Sequence, residues 1–191
     1  NIVDEIEEII KKFGIAHIGM WSDTFTFNKE QVIGISKEIL KRNIKIIWFC
    51  NSRVDTFDEE RAKWMAKSGC KVITFGVESL DKEILNMAKK NITIEQVKKA
   101  IEVCKRYKIR SQLHLIFGLP GESEKTIKNT IKKVIKLDPD YAQFYCAVPF
   151  PGTEFREYAL KNGFFKEVSW EKYEINNALI SYPNLSSKKI Q

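Results

Sequence analysis

Leu113-His114-Leu115-Ile116-Phe117-Gly118-Leu119-Pro120-Gly121-Glu122 is an apolar run that stops in a Gly-Pro-Gly turn, and its reading decides the fold. The run has the composition of a buried strand. Gly118 and Gly121 permit positive φ or close approach of a ligand, and Pro120 bars the strand from continuing. Ser123 then supplies a helix N-cap, and Ile127, Ile131, Val134 and Ile135 recur at helical spacing. Strand, glycine turn and helix make half of a βαβ unit. In parallel α/β folds ligands collect at the carboxyl ends of such strands, although the turn taken alone also reads as purely structural. It lacks the Gly-Lys-Ser/Thr ending of a phosphate loop and the third glycine of a dinucleotide fingerprint.

Outward from this stretch, the same unit repeats. A helix carrying Ile2, Ile6, Ile9, Ile10 and Phe13 ends at Gly14, and a strand is predicted over 15–21, followed by Ser22-Asp23-Thr24. Asn28 with Gln31 predicts a capping box for a helix to about Arg42 with Val32, Ile35 and Ile39 inward. A strand over 44–50 ends in Asn51-Ser52-Arg53-Val54-Asp55, a helix runs over 58–67, and a strand over 71–77 ends at Glu78-Ser79. Helices follow over 82–88 and 94–107, the second capped by Thr93 with Gln96. The strand of the glycine turn extends over 109–117, and its helix runs to Leu137. A last strand over 141–148 breaks at Pro149-Phe150-Pro151-Gly152-Thr153 before a helix to about Lys161. Five strands alternating with helices predict a parallel sheet. Beyond Gly163 the chain is aromatic and irregular, with Trp170, Tyr173 and Tyr182, and its pattern assigns no element.

Composition bounds the class. The chain has 191 residues, 43% hydrophobic and 30% charged, enough for one sizeable α/β core. It contains no apolar stretch of membrane-spanning length and no visible signal peptide, and it opens inside a helix, as a fragment would. The net charge of +7 comes largely from lysine pairs such as Lys11-Lys12, Lys98-Lys99 and Lys132-Lys133 on predicted polar helix faces. Solvation accounts for it, with RNA or phosphate attraction the lesser reading. Cys50, Cys70, Cys104 and Cys146 form no C-x-x-C pair, which argues against disulfides and a local zinc site and for a reducing, cytoplasmic setting.

The strand faces carry the functional signal. Alternate residues put His17 and Gly19, Thr74, Gly76 and Glu78, Gln112, His114 and Gly118, and Gln143 and Tyr145 on one face. Ile18 and Met20, Ile73, Phe75 and Val77, Leu113, Leu115 and Phe117, and Phe144 and Val148 fall on the other. The apolar face must meet the helices, which leaves a polar, small-residue face for a cavity in an open or partial barrel. One inward histidine has an ordinary reading as a hydrogen-bonded core side chain; it is the pattern over four strands that argues for the cavity. The strand over 44–50 is apolar on both faces. Asp23, Asn51, Arg53, Glu78, Glu122 and Gln143 lie near strand ends, on one rim of a parallel barrel. A carboxylate such as Glu78 there suits bidentate acceptance of two vicinal hydroxyls, as on a ribose, or simply caps a helix N-terminus.

Asp23-Thr24-Phe25, Trp48 to Arg53 with Asp55, Gly76-Val77-Glu78-Ser79, Ile116 to Glu122, and Pro149-Phe150-Pro151-Gly152-Thr153 occur in the order and spacing of radical S-adenosylmethionine (SAM) enzymes. The resemblance covers almost the whole chain. It is nearest to the branch that often carries an N-terminal cobalamin-binding domain and includes the anaerobic magnesium-protoporphyrin monomethyl ester cyclase. It implies a partial (β/α)6 TIM-like barrel, α/β with parallel strands. Strands two to six of that barrel would lie in residues 1–163, its first strand and cluster loop would be missing, and 164–191 would start a C-terminal extension. Carried over by position, Ser22 and Asp23 would meet the methionyl amino group of SAM and Glu78 the ribose. Lys90 would lie near the SAM carboxylate, with Arg53 a second candidate beside Asn51. Phe117, Gly118 and Leu119 would pack on adenine, and Gln143 with Pro149 would lie near adenine or substrate. The implied cofactors are SAM, a [4Fe-4S] cluster in the full-length protein, and cobalamin through another domain. The implied partners are a small-molecule substrate and a reductant such as ferredoxin or flavodoxin, with no membrane.

One departure is large: the family's C-x-x-x-C-x-x-C motif, whose three thiolates leave one iron open for SAM, is absent from this sequence. The expected function is therefore the SAM-binding body of an enzyme that cleaves SAM to a 5′-deoxyadenosyl radical, with no catalytic or metal-ligating residue of its own. A tRNA-modifying enzyme resembling the methylthiotransferases, and a cluster-less barrel serving as a binding module, are the alternatives.

Overall fold

The computed structural model describes residues 2–191. The elements in order are α1 (Ile2–Phe13), β1 (His17–Met20), α2 (Lys29–Lys41), β2 (Ile47–Ser52), α3 (Glu59–Lys67), β3 (Cys70–Glu78), α4 (Lys82–Met87), α5 (Ile94–Arg106), β4 (Arg110–Phe117), α6 (Glu124–Leu137), β5 (Tyr141–Cys146), α7 (Glu154–Lys161) and α8 (Ser187–Ile190). The strands form one open parallel sheet of five in the order β1-β2-β3-β4-β5, the partial-barrel arrangement expected. Local chemistry sets the helix starts. Asn28, Asp58, Asp81, Thr93, Ser123 and Thr153 each cap a helix with a side-chain oxygen, and α5 and α6 have complete capping boxes. The chain divides into two compact units.

The first unit comprises Asn1–Val77, Ile92–Leu113 and Pro139–Tyr141. Its core is built on Trp48, Ile39, Met65, Ile73 and Phe75, all without solvent exposure. The buried indole still satisfies its N–H, which donates to the Ser68 carbonyl at 3.0 Å. Gly69, at φ +101°, admits no side chain, because a Cβ there would stand 2.0 Å from the Ile46 carbonyl oxygen. β2 begins three residues later than the sequence pattern suggests and takes in Asn51 and Ser52. Nor is it buried on both faces. Trp48 and Cys50 are buried, whereas Ile47 and Phe49 are 44% and 40% exposed, with Phe49 registered opposite Gly19. Alternation, not apolarity, decided which side each residue took.

The cysteines, separate in sequence, are less separate in space. All four are buried and free. Cys50 and Cys70 are in hydrogen-bonding contact, and burial holds the Cys70 and Cys104 thiols far above their usual range.

The second unit comprises Glu78–Asn91, His114–Asp138 and Ala142–Gln191. Residues 164–191, to which the sequence pattern assigns no element, complete its core. Phe165 and Ile180 pack on Ala159, while Ala178, Leu185 and Ile190 pack on Phe117, Ile127 and Cys146. Arg156 of α7 ties this tail down by donating to the Tyr173 hydroxyl at 2.6 Å and to the Pro149 carbonyl at 3.3 Å. Its guanidinium also lies 5.3 Å from the Phe165 ring centroid.

Candidate active site

In the second unit, β3 ends on Glu78, a non-glycine residue at φ +66°. A left-handed glutamate is uncommon and costs on the order of 1–2 kcal/mol. Such strain persists where surrounding contacts hold a side chain in a required place. Here the holding contact is Lys90, whose Nζ donates to Glu78 Oε1 at 2.8 Å, both side chains being about four-fifths buried. Lys90 is brought back by its own turn. After α4, Lys89 adopts φ +53° and the Lys90 amide donates to the Leu85 carbonyl at 2.8 Å. Two expected site residues, assigned to different parts of SAM, are thus joined as an ion pair.

The Gly118 turn is built around a carboxylate. Gly118 (φ +89°) and Gly121 (φ +82°) supply the left-handed backbone, and a Cβ on Gly121 would stand 2.5 Å from Met87 Sδ. Glu122 folds back so that its Oε2 accepts the Gly118 N–H at 2.5 Å, while Oε1 is buried without a hydrogen bond. Burial pushes the Glu122 carboxyl up to about 7, against the opposing pull of the Gly118 and Leu119 amides. From the tail, the Tyr182 hydroxyl donates to the Gly118 carbonyl at 2.9 Å. Neither Glu122 nor Tyr182 is among the site residues that the resemblance implies. Nothing local marks Tyr182, since its partner is 64 residues away.

Beside the turn lies a cavity of about 400 Å³ lined by His114, Ile116, Leu119, Tyr145, Val148 and Phe150 among others. Its polar side-chain groups are His114 and Tyr145, with Tyr145 Oη 3.3 Å from His114 Nε2 and the rings edge-to-face at 5.0 Å. Burial lowers the His114 pKa, partly offset by the Glu78 charge and a hydrogen bond with Gln143, so the imidazole is neutral near pH 7. Leu119, one of the expected site residues, lines this cavity. Phe117 does not: it is 9% exposed and packs in the core with Ile127 and Ile190, so only its backbone is available to a ligand. Ile116 takes its place at the cavity. Parity with His114 and Gly118 already puts Ile116 on the inner face, and its apolar character hides it. Gln143, on edge strand β5, reaches His114 and so stands next to the cavity, and Pro149 holds its carbonyl against Arg156.

In the first unit, the loop after β1 is pinned to the end of β2. The Phe25 amide donates to the Asn51 carbonyl at 3.0 Å, and the buried Thr26 hydroxyl bonds those of Ser52 and Thr56 at 2.5 and 2.7 Å. This knot presents Ser22 and Asp23 exposed at the strand end, beside a cavity of about 550 Å³ reaching Gly19, Trp21, Ile6 and Ile9. Arg53 is held by a two-point pair with Asp55, at 3.0 and 2.8 Å. Asn51 contributes its backbone to the knot.

The profile of the radical SAM superfamily matches residues 1–134. The chain belongs to the radical SAM superfamily. It is 36% identical over 190 residues to an uncharacterized methyltransferase of Pyrococcus horikoshii, covering 100% of this chain and 41% of that protein. It is 30% identical over 176 residues to the anaerobic magnesium-protoporphyrin IX monomethyl ester cyclase of Rubrivivax gelatinosus, covering 91% of this chain and 31% of that one. The chain therefore spans well under half the length of either relative. Among solved structures, the radical SAM methyltransferase TsrM of Kitasatospora setae, with cobalamin and a [4Fe-4S] cluster bound, superposes with a TM-score of 0.77. It is 22% identical, over 87% of this chain and 34% of that one. Coproporphyrinogen III oxidase (HemN) of Escherichia coli superposes with a TM-score of 0.68 at 17% identity, over 98% of this chain and 42% of that one. At these identities the two structures show the shared fold.

The superfamily uses SAM and a [4Fe-4S] cluster. The residues here fit the two unequally. Among the described residues no group of three or more His, Cys, Asp or Glu side chains can hold a metal ion. The buried, strongly protonated thiols of Cys70 and Cys104 are the opposite of the exposed thiolates a cluster needs. The Glu78 carboxylate suits a pair of vicinal hydroxyls, and the cavity lined by Ile116 and Leu119 suits a flat apolar ring. Among the described residues no helix is long and apolar enough to cross a membrane.

Proposed function

We propose that this chain is the SAM-binding body of an enzyme that cleaves SAM reductively to a 5′-deoxyadenosyl radical, with the adenosine held by the second unit. The observation that carries the reading is Glu78: a glutamate kept at positive φ at a strand end, with Lys90 fixing its carboxylate. Glu78 accepts the two ribose hydroxyls. Lys90 is a positioning residue that keeps the carboxylate aimed. Ile116 and Leu119 cover adenine, in a cavity that Val148 and Phe150 also line. Residues 1–163 are the barrel portion and 164–191 an extension. The electron comes from a reductant such as ferredoxin or flavodoxin, and the substrate is a small molecule. Support for a cobalamin link, and for methyl transfer as the outcome, comes from the cobalamin-bearing methyltransferase among the neighbours and the methyltransferase relative.

The test is ligand-observed NMR with SAM and 5′-deoxyadenosine on the wild-type chain and on Glu78→Ala. Without iron to chelate the methionyl end, affinity on the order of millimolar is expected. Loss of a charged hydrogen-bond partner costs about 1.5–3 kcal/mol, so Glu78→Ala should weaken binding roughly tenfold or more. Specific binding that Glu78→Ala leaves unchanged would remove the ribose assignment.

A further inference from the structure

The tail of the second unit reaches the cavity beside the Gly118 turn by a defined route. At the end of β5, consecutive amides serve different neighbours. The Ala147 N–H donates to the Phe117 carbonyl of β4 at 2.7 Å, and the Cys146 N–H donates to the Ile175 carbonyl of the tail at 2.7 Å. Successive amides of an extended chain point to opposite sides, so the tail flanks β5 on the side away from β4. The cavity at this strand end is consequently lined from both directions, by Ile116 and Leu119 from β4 and its turn and by Ile175 from the tail, with Phe155 of α7 also in its wall.

The backbone around Ile175 is fixed. The Asn177 amide donates to the Glu174 carbonyl and the Asn177 side-chain amide to the Lys172 carbonyl, both at 2.9 Å, which closes a turn around residue 175. Just before it, the Tyr173 hydroxyl is held by Arg156 at 2.6 Å. Turns favour glycine, proline, asparagine, aspartate and serine, each for a local reason. No such reason calls for isoleucine here, and the side chain is left 49% exposed. A single half-exposed isoleucine is ordinary on a protein surface. One whose backbone is pinned and whose side chain lines an apolar cavity is placed to be covered by what enters that cavity.

We propose that Ile175 is a further nucleoside-binding residue, packing on the adenine ring from the tail side, so that the tail is part of the nucleoside site. The proposal rests on placing the adenosine in the second unit, as under the proposed function, and adds a contact to its base. Glu78 holds the sugar whatever the tail does; Ile175 acts on the base alone.

The test is NMR of the chain carrying isotope-labelled isoleucine and leucine methyl groups, titrated with 5′-deoxyadenosine, with Ile175→Ala and Ile175→Leu compared and thermal melts to verify folding. Intermolecular contacts from the adenine ring protons are expected to Ile116 and Leu119 and to one further isoleucine methyl, whose signal disappears in Ile175→Ala. Ile175→Ala should weaken binding roughly fivefold, the scale of about one or two methylene groups of lost apolar contact. Ile175→Leu restores the apolar surface and should stay within about twofold of the wild type. Adenine contacts to Ile116 and Leu119 without one to Ile175, or unchanged affinity in a folded Ile175→Ala, overturns the proposal while leaving adenosine binding intact. Failure of the wild type to bind the nucleoside overturns both readings.

Discussion

Replacing Glu122 with glutamine should stabilise the protein at alkaline pH and do almost nothing at pH 4.5. The glutamate side chain is 6% exposed, one oxygen accepts the Gly118 amide and the other has no partner. Burial raises its carboxyl to about 7, from 4.5 when exposed. Because the folded state then binds this proton more tightly than the unfolded chain, the stability it contributes is fully present below pH 4.5 and is lost as pH rises through 7. At 1.36 kcal/mol per unit, the span of about 2.5 units amounts to about 3 kcal/mol. Glutamine has the same shape, carries no charge, and its oxygen can still accept from Gly118. The difference in unfolding free energy between variant and wild type should therefore grow from near zero at pH 4.5 to about 3 kcal/mol at pH 8.5. That corresponds to about 6–12 °C in melting temperature for a chain of this size. Urea denaturation followed by circular dichroism across this range measures it. Taking the difference cancels His114, whose lowered pKa acts on both proteins alike. A constant difference at all pH values, or destabilisation by glutamine at pH 8.5, would refute the argument that Glu122 is held against its charge.

Two further outcomes follow from the first unit. Gly69→Ala places a Cβ 2.0 Å from the Ile46 carbonyl oxygen at φ +101°, beyond what side-chain movement can relieve. A loss of more than about 3 kcal/mol is expected, read as a collapse of the melting transition. Anaerobic reconstitution of the chain with iron and sulfide should yield no stoichiometric cluster, since Cys70 and Cys104 are buried, protonated thiols and no metal-holding group forms among the described residues. Iron and sulfide in cluster ratio, with a charge-transfer absorption band, would contradict this.

Sequence alone determined the alternation of elements and most helix boundaries. Capping residues such as Thr93 and Ser123 announce helix starts through bonds made within three residues, and period-two burial along β1 and β4 follows directly from side-chain alternation. Gly118, Leu119 and Glu78 were legible for the same reason: a glycine turn and a strand-end carboxylate declare their chemistry locally. What tertiary structure decided were the pairings between distant residues. Lys90 proved to be the partner of Glu78, Glu122 the staple of the Gly118 turn, and Tyr182 a donor to it from the tail. Phe117 and Ile116 are equally apolar, and only the side each one faces separates core from cavity. Residues 164–191 carry no periodicity because their apolar side chains fill gaps in a core built by other elements. A segment shaped to fit what it packs against has no pattern of its own to read.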